Sequence, residues 1–125
     1  MLPAAHRMLR SDDFSIAVQC GARSGSRRLV VHYYRYRADE AGDTSPGLVG
    51  VVVSKKQVAR ATHRNRIKRR IRALMRARIG GVEPGSRIVI RGLAAADGAT
   101  SAELGADLDR ALTRSRDLAR RGRRR

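Results

Sequence analysis

The sequence predicts an α+β fold in which one small sheet packs with helices. Apolar patterns of helical and strand period follow each other in the order helix, strand, strand, helix, strand, helix. Two of the strands are almost entirely apolar, and the last helix opens with a capping motif. The 125 residues fit one compact domain, expected over residues 1–119, followed by a disordered basic tail at residues 120–125.

The first predicted element is a short helix over residues 11–20. Ser11 is expected to cap this helix, two aspartates follow in its positively polarised first turn, and Gly21 ends it. Because residues four apart share a helix face, Phe14 and Val18 are expected to lie together.

Strands are predicted at residues 29–37, 48–54 and 87–91. Residues 22–28 are expected to form a basic turn before the first strand, and residues 38–47 a polar loop after it. Alternation divides the first strand between two faces, one with Leu29, Val31 and Tyr33 and the other with Val30, His32, Tyr34 and Tyr36.

Two further helices follow the second and third strands. In the first of them, Thr62 is expected to be the cap, Gly80 and Gly81 to close the helix, and a core-facing stripe to consist of Ile67, Ile71, Leu74 and Met75. In the second, Thr100 and Glu103 have the spacing of a capping box, and one face carries Leu104, Leu108, Leu112 and Ala119.

The net charge of +17 indicates a polyanionic partner. It arises from 28 lysines and arginines against 11 acidic residues, and all but Lys55, Lys56 and Lys68 of these cations are arginines, which fork onto phosphates. No apolar run approaches the roughly 20 residues that span a bilayer, and the chain does not start with a secretory signal. Nucleic acid is therefore favoured over a membrane surface, and a cytoplasmic location is expected.

Between Ser54 and Arg78 the cations gather without any carboxylate among them. An ordinary solvated helix mixes both signs of charge, because like charges one turn apart destabilise it. The segment therefore predicts a nucleic-acid-binding helix. Its cations are Lys55, Lys56, Arg60, Arg64, Arg66, Lys68, Arg69, Arg70, Arg72, Arg76 and Arg78.

The run from Val53 to Arg72 resembles the signature of the bacterial ribonuclease P proteins, with Arg64-Asn65-Arg66 and Lys68-Arg69 in a basic helix after a buried strand. The resemblance implies a fold like the second domain of ribosomal protein S5. In that fold a small mixed sheet packs with helices, and a left-handed crossover joins strand, basic helix and strand. It also implies a non-catalytic subunit, one per RNA, that helps a catalytic RNA remove the 5′ leader from precursor tRNA.

The resemblance further implies two RNA-binding surfaces. The basic helix and its approach are expected to bind the catalytic RNA through Lys55, Lys56, Arg60, Arg64, Asn65, Arg66, Lys68, Arg69 and Arg72. A cleft between the first helix and the sheet is expected to hold the single-stranded leader through Phe14, Val18, His32 and Tyr34. Val18 and His32 stand where the family usually has aromatic residues, and Phe14 is either a cleft aromatic or a core residue.

No catalytic site is expected in the protein itself. Hydrolysis of a phosphodiester by a protein needs clustered groups that hold metal ions about 4 Å apart. Here His6, His32 and His63 are scattered along the chain, as are the acids. The resemblance implies that Mg²⁺ is bound mainly by the partner RNA and that the protein alone holds no metal.

Two other classes of protein remain as alternatives. A small ribosomal protein that binds rRNA structurally fits the composition equally well, but does not require the Arg64-Asn65-Arg66 signature or a cleft. A DNA-binding regulator would place the basic helix in the major groove, yet the sequence has no paired helix-turn-helix and no dimer seam. DNA is therefore not an expected partner.

Overall fold

The computed structural model describes Leu2 and residues 4–35 and 46–121. In chain order the elements are α1 (Ser11–Cys20), β1 (Ala22–Gly25), β2 (Leu29–Arg35), β3 (Leu48–Val53), α2 (Ala61–Ala77), β4 (Ser86–Gly92) and α3 (Ser101–Arg120). Single 3₁₀ turns lie at Ala4–His6, Ile79–Gly81 and Ala94–Ala96. The predicted order of elements is confirmed, with one strand added.

The four strands form one mixed sheet in the order β1-β2-β4-β3. β2 pairs antiparallel with both β1 and β4, whereas β4 pairs parallel with β3. A parallel pair needs a crossover connection, and α2 supplies it. The predicted α+β class and mixed sheet are confirmed, and the left hand of the crossover stays a prediction.

The main hydrophobic core lies between one face of the sheet and the helices α2 and α3. As predicted, this face carries Leu29, Val31 and Tyr33. The stripe on α2 is also confirmed, since Ile67, Ile71 and Met75 are buried and Leu74 is partly buried. Each large apolar side chain removed from water contributes about 1.5–3 kcal/mol. The core thus holds α2 by one stripe and leaves its other faces to solvent.

The opposite face of the sheet, called the cleft face below, carries α1. A smaller core of Met8, Ala17 and Val89 lies there, with Phe14 and Tyr34 packed against it. An ion pair fastens α1 to the sheet, because Nε of Arg87 on β4 donates a hydrogen bond to Oδ1 of Asp13 at 3.0 Å. The strand pairing places Arg23, Val30, His32, Tyr34, Leu48, Gly50, Val52, Arg87, Val89 and Arg91 on this face.

The prediction of a basic turn at residues 22–28 was wrong, because its first half forms strand β1. Serine, glycine and arginine give little strand propensity, so tertiary contacts decide the outcome. The amide of Ser26 donates to the carbonyl of Leu29 at 2.8 Å and closes the turn into β2. The nearly buried Asp107 on α3 then accepts a hydrogen bond from Nη1 of Arg28 at 3.1 Å. These contacts hold a hairpin that the local sequence does not favour.

The helix starts differ from two of the predicted caps. Ser11 is the first residue of α1, whose N-cap is Arg10, and Thr62 lies inside α2, whose N-cap is Arg60; neither helix has a side-chain cap. Aspartates in the first turn of α1 stabilise its amide groups in place of a cap. The capping box of α3 is confirmed by reciprocal hydrogen bonds of 3.1 and 2.9 Å between Thr100 and Glu103.

Some predicted element boundaries also differ from those in the structure. α2 ends at Ala77, and Gly80 and Gly81 lie in the following 3₁₀ turn. β2 is described to Arg35, so the predicted positions of Tyr36 and of the polar loop lie outside the described residues, except Pro46 and Gly47. Arg120, expected in the tail, is the last residue of α3, and residues 122–125 lie outside the described part.

Candidate nucleic-acid interface

The solvent-facing side of α2 and the turn before it present cations that pair with no acid in the described part of the chain. Arg76 of α2 is exposed and unpaired within the described residues, but it was not among the predicted contacts. The predicted contacts that make no hydrogen bond or ion pair within the described residues are Lys55, Lys56, Arg60, Arg66, Lys68, Arg69 and Arg72, and the exposed Asn65 lies among them. Core packing fixes α2, which carries Asn65, Arg66, Lys68, Arg69 and Arg72, whereas Lys55, Lys56 and Arg60 lie in the segment just before it. This group of eight residues is called the basic face below.

Other cations of the same segment are held by the protein. Nη1 of Arg64 donates to the carbonyls of Val58 and Ala59 at 3.0 and 2.7 Å, and so ties the preceding turn to α2. Arg70 donates to the carbonyl of Ala99 at 2.5 Å. Arg64 therefore differs from its neighbours in the signature, because part of its guanidinium supports the fold.

Arg78 shows how a cation at the edge of the apolar stripe is accommodated. It is the C-cap of α2, donates from Nη1 to the carbonyl of Leu74 at 2.8 Å, and forms a forked pair with Asp109 on α3. The hydrogen bond from Arg78 lowers the pKa of the Asp109 carboxyl. This arginine joins the two helices of the main core.

The N-terminus of α2 adds positive potential to the basic face. Its first turn holds no acidic residue and no side chain caps it, so its first amide groups are left to bind water or an anion. His63 lies in this turn, with Nδ1 2.8 Å from Oδ2 of Asp97. His63 is therefore a first-turn residue of α2 that pairs with the turn following β4.

On the cleft face, the aromatic ring of Phe14 is half-buried and touches strand β3. A Cβ atom at Gly50 would lie only 2.5 Å from Cε1 of Phe14, so the absence of a side chain at Gly50 makes room for the ring. Val18, one turn later on α1, is 38% exposed. Phe14 therefore both packs against the sheet and keeps part of its surface open beside Val18.

His32 lies on the cleft face but inside the protein. Its side chain is only 3% exposed, and neither ring nitrogen has a hydrogen-bond partner within the described residues. Burial, followed by the charges of Arg91 and Arg23, lowers the pKa of His32 to about 4. The imidazole is therefore neutral at pH 7 and is covered, so it does not offer an open ring face for stacking.

Two cations near His32 were not among the predicted site residues. Strand pairing places Arg23 opposite His32, and Arg91 on the same face of β4. The alternation of Arg87, Val89 and Arg91 along β4 is a sequence signal that identifies this face. Arg23 had no such signal, because β1 itself was predicted as a turn.

Most carboxylates of the described residues form ion pairs, and Asp117 is the described acid that forms none there. Those paired with arginine or histidine are Asp12, Asp13, Glu83, Asp97, Glu103, Asp107 and Asp109. Within the described part of the chain, no group of three acidic, histidine or cysteine side chains is placed to hold a metal ion. These acids stabilise the fold and do not form a clustered site.

Comparison with known proteins identifies the family. The family model named Ribonuclease P matches residues 2–116. The chain belongs to the ribonuclease P protein family. It is 49% identical over 113 residues to the ribonuclease P protein component of Beutenbergia cavernae, covering 90% of each chain. It is 42% identical over 116 residues to that of Streptomyces avermitilis, covering 91% of this chain and 94% of the relative.

Solved ribonuclease P proteins share the fold. The protein from Staphylococcus aureus superposes with a TM-score of 0.71 at 23% identity, over 86% of this chain and 93% of that one. The protein from Thermotoga maritima gives a TM-score of 0.70 at 23% identity, over 87% and 96% of the two chains. The ribonuclease P match includes α1, the cleft face and all of α2. No helix in the described residues is long and apolar enough to cross a membrane.

Proposed function

We propose that this ribonuclease P protein binds the catalytic RNA subunit through the basic face of α2. It holds the 5′ leader of precursor tRNA on the cleft face, and so promotes endonucleolytic maturation of the tRNA 5′ end. The observation that carries the proposal is the set of cations and Asn65 on α2 and the turn before it, which are unpaired within the described residues. A half-buried aromatic, Phe14, lies separately on the other side of the sheet.

The basic face suits a structured RNA. Folded RNA is recognised mainly through phosphates, 2′-hydroxyls and shape, and arginine forks onto phosphates without needing a base edge. Because the cations of the basic face have no partners among the described residues, binding RNA breaks no ion pair that the structure describes. Arg64 contributes its remaining donors from a position fixed by Val58 and Ala59.

The cleft face suits an unpaired strand. Bases stack on aromatic rings with little sequence preference, as a processor of many precursor tRNAs requires. Among the described residues, Phe14 and Tyr34 are the aromatic side chains of this face, and Arg23 and Arg91 add charge that can bind the RNA backbone. Val18 offers apolar contact and His32 supports the face from beneath, so stacking rests chiefly on Phe14.

In this proposal the RNA performs the chemistry. Most of the described acids are distributed among separate ion pairs, so the protein's contribution is to position substrate and neutralise phosphate charge. Mg²⁺ is then bound mainly by the RNA, and one protein serves one RNA in the cytoplasm. The family match favours this role over that of a structural ribosomal protein.

The test is cleavage of precursor tRNA by the cognate catalytic RNA at limiting Mg²⁺, with and without RNA-free protein. The proposal expects the protein alone to cut nothing and the mixture to cut faster than the RNA alone. Magnesium-dependent cleavage by rigorously RNA-free protein, or an RNA that gains nothing from the protein, would refute it.

A further inference from the structure

A cavity of about 290 Å³ lies at the free edge of β3, between the cleft face and the basic face. Its floor is formed by β3 around Val49 and Val51, Phe14 closes one side, and Arg72 of α2 reaches the other. It therefore adjoins both surfaces of the proposed function.

The N-terminal segment covers only the first part of this edge. Arg7 pairs with Val49 in a single parallel bridge, and the amide of Met8 donates to the carbonyl of Val49 at 3.1 Å. The chain then leaves the strand to enter α1. Leu9 lies where the chain turns away from β3, and its side chain, which is 81% exposed, lines the cavity.

Among the described residues, the lining combines apolar side chains with two arginines and contains no carboxylate. Nε of Arg7 donates to the carbonyl of Leu2 at 3.0 Å, which fixes the stem and leaves both terminal nitrogens without a partner in the described residues. Arg72 is exposed and likewise unpaired. An apolar floor with an aromatic edge and two free guanidinium groups fits a flat, anionic ligand.

We propose that this cavity binds one unpaired nucleotide, with its base against Leu9 and Phe14 and its phosphate between Arg7 and Arg72. The proposal rests on the proposed function, because it assumes that RNA occupies both neighbouring surfaces. The nucleotide belongs either to the leader, continuing past Phe14, or to the catalytic RNA, continuing past Arg72. Arg72 would then bridge the two surfaces and would not belong to the basic face alone.

Affinity measurements on the assembled holoenzyme test whether Leu9 in the cavity lining contacts RNA. Leu9→Glu should weaken binding of precursor tRNA or of the catalytic RNA by about tenfold, the scale of one lost stacking contact. Ser15→Glu adds the same charge at an exposed position of α1 outside the cavity and should have no such effect. Because Leu9 is exposed, neither variant should lower the melting temperature.

A matched pair of arginines tests the phosphate contact. Arg7→Gln should reduce the salt dependence of binding by about one ion, whereas Arg10→Gln should leave it unchanged. Arg10 is exposed, contacts Asp12 only at 4.0 Å and does not line the cavity. Equal salt slopes for the two variants would contradict the proposal.

Crosslinking decides which RNA supplies the nucleotide. A photoreactive label on Leu9→Cys, in a Cys20→Ser background, is compared with the same label on Ala106→Cys, which is exposed on α3 across the sheet. Crosslinks to leader nucleotides identify the leader, and crosslinks to unpaired nucleotides of the catalytic RNA identify that subunit. If the Leu9 label reacts no more than the Ala106 label while wild-type protein still stimulates cleavage, the cavity assignment fails alone. If wild-type protein does not stimulate cleavage, the proposed function fails.

Discussion

Phe14 of α1 and Gly50 of β3 are in direct contact, with the Cζ atom of the ring 2.6 Å from where a Cβ atom of residue 50 would stand. The ring can lie this close to the strand only because Gly50 has no side chain. The open part of the aromatic surface is therefore set by a residue on another element.

Gly50→Ala should displace the Phe14 ring. Filling a packed site costs about 1–3 kcal/mol of stability, and the displaced ring should bind the leader less well. Thermal melting and binding of a precursor tRNA to the holoenzyme measure the two effects. Gly81→Ala is the control, since a Cβ atom there would meet nothing within 4 Å. Identical melting and binding for the two variants would show that the ring is not confined by Gly50.

Arg66→Ala should weaken binding of the catalytic RNA and reduce the salt slope by about one, without changing the melting temperature. The reason is that Arg66 is exposed and has no partner in the described residues. Arg114→Ala removes the same charge from the exposed side of α3 and serves as the control. A lower melting temperature with an unchanged salt dependence of RNA binding would show that Arg66 stabilises the fold and does not contact RNA.

Arg64→Ala should behave differently from Arg66→Ala. It removes the hydrogen bonds to the carbonyls of Val58 and Ala59, each worth about 0.5–1.5 kcal/mol, so stability should fall along with RNA affinity. Chemical denaturation and RNA titration of both variants separate the two effects. Equal stabilities for the Arg64 and Arg66 variants would contradict the anchoring role of Arg64.

His32 should make the folded protein sensitive to acid. Its pKa is lowered to about 4 by burial and by Arg91 and Arg23, whereas the unfolded chain takes up the proton near pH 6.5. Stability is therefore full above pH 6.5 and is lost as the pH falls toward 4, by up to about 3 kcal/mol. The free energy of unfolding of wild type and of His32→Phe is measured across this pH range. The difference between the two profiles gives the contribution of His32, because the carboxylates titrate in both proteins. Parallel pH profiles would show that His32 is not buried as a neutral ring.

Glu83 should be a stabilising carboxylate. It accepts a hydrogen bond from the Tyr33 hydroxyl at 2.6 Å and pairs with Arg120 at 3.1 Å. Burial raises the pKa of Glu83, but these hydrogen bonds and the charge of Arg35 outweigh it, and the pKa is lowered. Glu83→Gln should cost about 1–3 kcal/mol in denaturation, whereas Asp12→Asn, at an exposed pair, should cost little. Equal costs would contradict a special role for Glu83.

The elements with strong periodicity could be predicted from the sequence. The stripe of Ile67, Ile71 and Met75 requires one buried helix face, and the spacing of Thr100 and Glu103 specifies a cap locally. The position of the α2 part of the basic face could be predicted from the same apolar stripe, because the side of α2 that is not buried faces solvent. Local sequence therefore sufficed for the helix that carries most of the charge.

Features that depend on distant contacts could not be predicted. β1 is one such feature: Asp107 on α3 holds Arg28 in the turn after β1, and these two residues are 79 positions apart in the sequence. His32 looked like a replacement for an aromatic at the cleft surface, but its burial depends on how α1 lies across the sheet. Arg64 and Arg66 are equivalent in the signature, yet only the structure shows that Arg64 bonds to the turn before the helix.

The existence of two separate RNA surfaces is tested most directly by one comparison of three holoenzymes, containing wild-type, Phe14→Ala or Arg66→Ala protein. For each holoenzyme, we measure the affinity for a precursor tRNA with a leader of several nucleotides and the affinity for mature tRNA. For each protein, we also measure its affinity for the catalytic RNA. Phe14→Ala should lose about 1–3 kcal/mol of preference for the precursor while binding the catalytic RNA as wild type does. Arg66→Ala should weaken binding of the catalytic RNA while leaving the preference for the precursor over mature tRNA unchanged. A folded Phe14→Ala protein that still prefers the precursor as strongly as wild type would contradict the account.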